Sequence, residues 1–209
     1  MPSLGFSTLQ VDGTPTIQKM LAVKSGFEID RMRAAVGAAA RAMERVYDVI
    51  ELGMNEIEVS NMASQFMLEE GGERISHAQV MAEGEEAVNL LSSDAVNRPV
   101  GVGWVHLDIG CKVGRYGSDI NRGIFLGREP TPAEVKLYEV RKGICELMDE
   151  MIKPGVTFDA LLDAMEAYVQ SRDVVMKPLG GVPFGGHSIG LEPYNPPNLV
   201  PSAAQPALQ

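Results

Sequence analysis

Two stretches of this chain repeat one pattern: an apolar-periodic segment, a short break ending in glycine, and a second periodic segment. In the first stretch Ile29, Met32, Val36, Ala39, Ala40, Met43, Val46 and Ile50 recur at helical spacing, and Ile50-Glu-Leu-Gly53 stops them. Val59, Met62, Ala63, Phe66 and Met67 then mark a second helix, closed by Gly71-Gly72. In the other stretch Val135, Tyr138, Val140, Ile144, Leu147, Met148 and Met151 carry the period to Ile152-Lys-Pro-Gly155, and a further helix follows from Phe158 to Val169. The two breaks lie 102 residues apart, and at that offset Val59 meets Leu161, Ala63 meets Met165, Phe66 meets Tyr168 and Met67 meets Val169. Amphipathic helices after a glycine turn also look alike by chance, and periodicity alone leaves the two readings even. As a true repeat, the pattern predicts two similar α/β halves related by a pseudo-twofold, with a cleft between them as the natural place for a site. The spacing places helices over 28–50, 56–70, 133–152 and 158–169.

Between and after these helices the period changes. Ile75, Val80 and Met81 suggest one strand, Trp104 to Ile109 a second and Ile120 to Leu126 a third, with Gly110, Gly114 and Gly117 marking the turn between the last two. From Lys177 onward Gly and Pro dominate, which predicts strands and loops. The expected organisation is a tail or linker over 1–16, a single domain over 17–200 and a tail over 201–209.

The charge balance narrows the partners. Lys and Arg number 18 against 28 Asp and Glu, a formal charge of −10, and no basic cluster supplies the face that phosphate binding needs. No uncharged apolar stretch is long enough to span a bilayer, and Met1–Gln10 lacks a basic segment followed by an apolar run. Two cysteines, Cys111 and Cys145, make no disulfide framework. The expectation is a cytoplasmic protein that binds neither nucleic acid nor membrane.

Three residues stand out chemically. Asp108 interrupts the apolar strand Val105-His-Leu-Asp-Ile-Gly110, and Asp119 follows in Tyr116-Gly-Ser-Asp-Ile-Asn-Arg122. A turn of this length lets the strands pair as a hairpin with both carboxylates on one face. Adjacent carboxylates repel, and one takes up a proton unless a cation sits between them. Hard oxygen donors of this kind suit Mn, Mg or Zn. The alternative is that Asp119 caps the turn and Asp108 is an edge-strand charge, which spacing alone slightly favours. In Phe184-Gly-Gly-His-Ser-Ile-Gly-Leu-Glu192, glycines beside His187 let the backbone approach a ligand. An isolated histidine in such a strand is more often a hydrogen-bonded structural residue, whereas Asp, Asp and His together shift the balance toward a metal.

On these residues the chain resembles the pita-bread family of creatinase, prolidase, Xaa-Pro aminopeptidase and methionine aminopeptidase. Val23-Lys-Ser25, Glu28-Ile29 and Met32-Arg33 look like the segment that opens the catalytic domain in the Xaa-Pro branch. Leu107-Asp-Ile-Gly110 with Tyr116–Arg122 looks like its two-aspartate hairpin, Lys153-Pro-Gly155 like its mid-domain turn, and Gly186-His-Ser-Ile-Gly-Leu191 like its histidine motif. The resemblance implies an α/β pita-bread fold: pseudo-twofold halves around a curved antiparallel sheet. It implies a metal-dependent hydrolase that cleaves an N-terminal peptide bond or an Xaa-Pro dipeptide. Asp108, Asp119 and His187 would be metal ligands, with Asp119 bridging two divalent ions, Mn first and Zn or Co as alternatives. The ions would acidify a bridging water to supply the attacking hydroxide. The sequence leaves a homodimer open.

The chain also departs from the family pattern. Two glutamate ligands expected well after the histidine have no counterpart, since Glu192 is the sole acidic residue among the 22 that follow His187. The resemblance therefore implies either a C-terminally truncated copy or a degenerate member, lacking the last strands and weak or inactive as a peptidase. The family's histidine before the first aspartate would fall at 88–91, where this chain has Val, Asn, Leu and Leu, and neither His77 nor His106 fits that role. The family's second histidine is Tyr194 here, whose hydroxyl is the candidate catalytic hydrogen-bond donor to an oxyanion. Two other readings stay open. One is a family hydrolase acting on a small non-peptide amide or amidine; the other is a non-catalytic pita-bread domain that binds a peptide or partner.

Overall fold

Short polar motifs fix where the helices begin. Ser25 accepts from the Glu28 amide while Glu28 reaches back to the Ser25 amide, and Asn55 with Glu58 and Thr131 with Glu134 make the same reciprocal caps. The computed structural model describes residues 14–81, 95–174, 185–192 and 195–199. In chain order the elements are α1 (Thr14–Ala22), α2 (Gly26–Val49), α3 (Glu56–Glu69), β1 (Arg74–Met81), β2 (Gly103–Val113), β3 (Tyr116–Gly117), β4 (Ile120–Leu126), α4 (Pro132–Met151), α5 (Phe158–Gln170), β5 (Gly186–Ser188) and β6 (Asn195–Leu199). Among the described residues no helix is long and apolar enough to cross a membrane.

The repeat is visible in backbone detail. Ile50 and Ile152 each leave the helix in extended conformation while their amides still bond to Val46 and Met148. Gly53 and Gly155 then turn the chain at φ 84° and 93°, a region costly for residues bearing a Cβ. Val59, Ala63 and Met67 in α3 are buried, as are Leu161, Met165 and Val169 at the same offset in α5. Phe66 and Tyr168 each carry an arginine over the ring, Arg45 at 4.0 Å and Arg172 at 5.0 Å.

In the first half, β2 is the central strand, with β1 on one side and β3 and β4 on the other, all antiparallel. Its odd-numbered residues Val105, Leu107, Ile109 and Cys111 are fully buried against the helices. Ala35, Ala38, Ala39 and Ala42 line the buried face of α2, and their small side chains let the helix lie close to the sheet. Burying each larger residue such as Leu107 stabilises the half by about 1.5–3 kcal/mol. The α2–α3 turn also pairs with the segment entering β2: Gly53 donates to Val100 O at 2.9 Å and Val100 donates to Met54 O at 2.7 Å. Buried Glu56 anchors that segment through Arg98 at 2.9 Å and the Val96 amide at 3.3 Å.

In the second half, α4 packs on α5 over a smaller core of Met148, Phe158, Leu161, Leu162, Met165 and Leu199. The β5–β6 hairpin reaches back to the first half. Gly117 donates to Gly190 O at 2.7 Å, Lys112 Nζ donates to Leu191 O at 2.7 Å, and Lys24 Nζ donates to Ser188 Oγ at 2.6 Å. These bonds set β5 beside the turn that carries Asp119.

Candidate metal centre

Alternation along β2 creates the site. While the odd residues face the helices, Trp104, His106, Asp108, Gly110 and Lys112 point the other way. The β2–β4 register places Asp108 opposite Asn121, and the β2–β3 register is in phase with it, so Asp119 falls opposite Gly110. Buried Ser118 closes the gap between β3 and β4: its amide donates to Cys111 O at 2.9 Å and its hydroxyl oxygen accepts from the Cys111 amide at 3.1 Å. Asp119 therefore turns onto the same face as Asp108, as the hairpin spacing anticipates.

The structure adds a residue that sequence reasoning set aside. His77 Nε2 lies 3.1 Å from Asp108 Oδ1 and 3.7 Å from Asp119 Oδ1. One ligand atom from each of His77, Asp108 and Asp119 falls within 4.8 Å of the others. His77 does not occupy the 88–91 position that the resemblance points to, and it reaches the aspartates by a different route. The structure shows why in the packing of Ile75, Ala78 and Val80. All three pack toward the core, yet Ala78 follows Ile75 by three positions rather than two, which marks an irregularity in the strand.

His187 comes from the other half of the molecule, and its Nε2 lies 3.4 Å from Asp119 Oδ2. Asp119 thus has one carboxylate oxygen toward each imidazole. The side chains of His77, Asp108, Asp119 and His187 are only 15–19% exposed. Beside them, Asn121 Nδ2 donates to His106 Nε2 at 2.6 Å and sits 3.5 Å from Asp108 Oδ2. His106 is therefore engaged one step from the carboxylates. Tyr194 and positions 88–91 lie outside the described residues.

The electrostatics of the aspartates split. Burial acts to raise the Asp108 carboxyl, but the hydrogen bond and charge of His77, helped by His106, hold it below the ordinary carboxylate value. Burial and then the Asp108 charge push Asp119 above that value, against the pull of His77 and His187. Two carboxylates this close keep a proton between them unless a cation takes its place. The donor set fits such a cation. Bonds of about 2.0–2.1 Å put neighbouring ligand atoms roughly 2.9–3.4 Å apart, and the His77–Asp108 and His187–Asp119 separations, 3.1 and 3.4 Å, lie in that range. Imidazole with carboxylate is a donor set for first-row divalent ions.

The chain is similar to known metallopeptidases in sequence and to solved peptidase structures in fold. The model for "Metallopeptidase family M24" matches residues 30–209. A "Probable Xaa-Pro aminopeptidase" of Sordaria macrospora is 30% identical over 154 residues, covering 72% of this chain and 26% of that protein. An uncharacterized peptidase of Bacillus subtilis is 28% identical over 188 residues, covering 88% of this chain and 51% of that protein. The crystal structure of an X-Pro aminopeptidase from Thermotoga maritima superposes with a TM-score of 0.76 at 26% identity, covering 88% of this chain and 51% of the other. The antiparallel sheet flanked by paired helices is thus of pita-bread type, and the chain spans about half the length, or less, of the relatives it matches.

Proposed function

Because this chain belongs to metallopeptidase family M24, we propose that it carries part or all of a hydrolytic centre of the Xaa-Pro peptidase type, with Asp108, Asp119 and His187 as ligands to divalent metal. The single observation that carries this reading is the convergence of two aspartates from one hairpin and a histidine from the other half of the fold. Oxygen donors outnumber nitrogen in that trio, which favours Mn, with Zn and Co as alternatives. A divalent cation held there would acidify water and polarise a scissile carbonyl.

The chain's own residues then have distinct tasks. Asp119, with one oxygen toward each imidazole, would be the ligand shared by two ions. Asn121 restrains Asp108 while holding His106. The hydrogen bonds from Gly117 to Gly190 and from Lys24 to Ser188 keep His187 registered against Asp119. Tyr194, seven residues after His187, is our proposed donor to the developing oxyanion. The names of the relatives point to an N-terminal peptide bond before proline as the substrate. Both cysteines are free thiols, which suits a reducing, cytoplasmic setting.

The test is hydrolysis of Xaa-Pro dipeptides and of peptides with proline in second position, with Mn²⁺ supplied. Slow, metal-dependent release of the N-terminal residue, absent from Asp119→Ala, is the expected result. Metal-dependent peptide binding without cleavage would instead establish a binding domain, and turnover restricted to small amides would establish the non-peptide hydrolase.

A further inference from the structure

The position of His77 depends on one irregularity in β1. Arg74 pairs with Lys112 and Ile75 with Cys111, but His77 pairs with Gly110, so one extra residue, Ser76, is inserted into the strand. In an unbroken register Ser76 would pair with Gly110, and His77 would pair with Ile109 and point into the core. The bulge reverses the facing, so that Ile75 packs inward before it, Ala78 and Val80 pack inward after it, and His77 emerges beside the aspartates. Bulges re-aim single side chains in this way. The neighbouring strand is shaped to receive the ring. A Cβ at Gly110 would lie 2.5 Å from His77 Cε1 and 2.2 Å from Ser118 O, so glycine there is what lets the imidazole lie across β2.

Placed so, Nε2 lies 3.1 Å from Asp108 Oδ1 and 3.7 Å from Asp119 Oδ1. The two aspartates by themselves offer a cation only oxygen, a donor set that also serves Mg²⁺. An imidazole beside them adds a nitrogen donor, facing the Asp119 oxygen that His187 does not.

We infer that His77 is itself a metal ligand of this centre, binding through Nε2 together with Asp108 and Asp119, while His187 and the second oxygen of Asp119 face the other cation position. The inference rests on the metal-centre reading above and adds to it a fourth protein ligand. It implies a preference for Zn²⁺, Co²⁺ or Mn²⁺ over Mg²⁺, because the added nitrogen donor is softer than the carboxylates. The competing role for His77 is an outer one, in which Nε2 keeps its proton and donates to Asp108.

The chain has three histidines, which makes the distinction directly readable. The unmodified chain, labelled with ¹⁵N-histidine, is titrated with Zn²⁺ and followed by long-range proton–nitrogen spectra, with calorimetry alongside. The expected result is that the Nε2 resonances of both His77 and His187 shift to the metal-bound position and His106 stays where it is. Movement of His187 alone, with His77 Nε2 still protonated, overturns the inference and leaves the metal centre standing. No histidine shift and no heat of binding would remove the metal centre itself, and the inference with it. As a second readout, His77→Ala should weaken Zn²⁺ binding more than the about 10–100-fold typical of losing an outer partner, in a variant whose circular dichroism matches the parent. His77→Gln, which fills the same space, should not restore it. Parent-like Zn²⁺ affinity in a folded His77→Ala protein would also overturn the inference.

Discussion

The α2–α3 and α4–α5 units share their turn, their helix exits and their buried positions in the shorter helix, yet their long helices have different fates. α2 buries six residues, whereas α4 buries Val140 and Met148 and leaves Val135, Leu137 and Tyr138 open to solvent. The difference lies in what stands behind them. Four strands back α2, and among the described residues two short strands accompany the second unit. Local sequence therefore sets the conformation of each unit, while the extent of sheet sets how much of it is buried. The site follows the same division. Asp108, Asp119 and His77 stand on the densely packed half, and His187 is brought in by the lighter one.

The largest effect expected from this contrast is in the cores. Leu107→Ala should cost about 2–5 kcal/mol and lower the melting of the whole chain, since Leu107 is fully buried at the centre of the sheet. Leu162→Ala, the same chemical change in the second half, should act less on global melting and show chiefly as faster amide exchange in α4 and α5. Equal global losses would mean that the halves fold as one unit.

The turns should behave alike where the cores differ. Gly53→Ala and Gly155→Ala each force a Cβ into left-handed backbone, at a cost of about 1–2 kcal/mol. Neither site has an atom within 4 Å of the added carbon, so strain alone is measured. Denaturant midpoints should shift by similar amounts; a clear inequality would weaken the equivalence of the two turns.

A smaller effect concerns pH. Hydrogen bonding from Arg128, and then from Thr131, holds the Glu134 carboxyl at the start of α4 at about 2. A carboxyl depressed in the folded state stabilises it above the ordinary carboxylate value and loses that contribution as pH falls toward the folded value. Between pH 4.5 and about 2 the α4 unit should therefore loosen, and Glu134→Gln should flatten that acid limb. Asp119 has the opposite sign: raised in the fold, it makes the metal-free protein less stable as pH rises through the window above the ordinary carboxylate value. Stability curves of Glu134→Gln and Asp119→Asn between pH 2 and 6 separate the two.

Much of this was legible in the sequence for identifiable reasons. The four long helices announce themselves through their period and, for three of them, a glycine stop, and their observed bounds lie within a residue or two of the expected ones. Asp108 stands out in the sequence because a polar residue in an apolar strand is costly without a partner, and Asp119 because a hairpin turn of that length returns it to the same face. His187 is legible through its glycine-rich setting. His77 was not, because a one-residue bulge reverses the facing of everything beyond it, and alternation cannot be read across an insertion it does not see. The Glu56–Arg98 pair was also missed, since it joins residues 42 positions apart through a pairing that no local pattern encodes.

The central claim is that Asp108, Asp119 and His187 form a cation site, and calorimetric titration with Mn²⁺ or Zn²⁺ tests it most directly. The account predicts saturable binding by the parent chain, lost in Asp119→Ala and kept in Asp159→Ala, an exposed carboxylate in the first turn of α5. The same isotherm for the parent and for Asp119→Ala would contradict it.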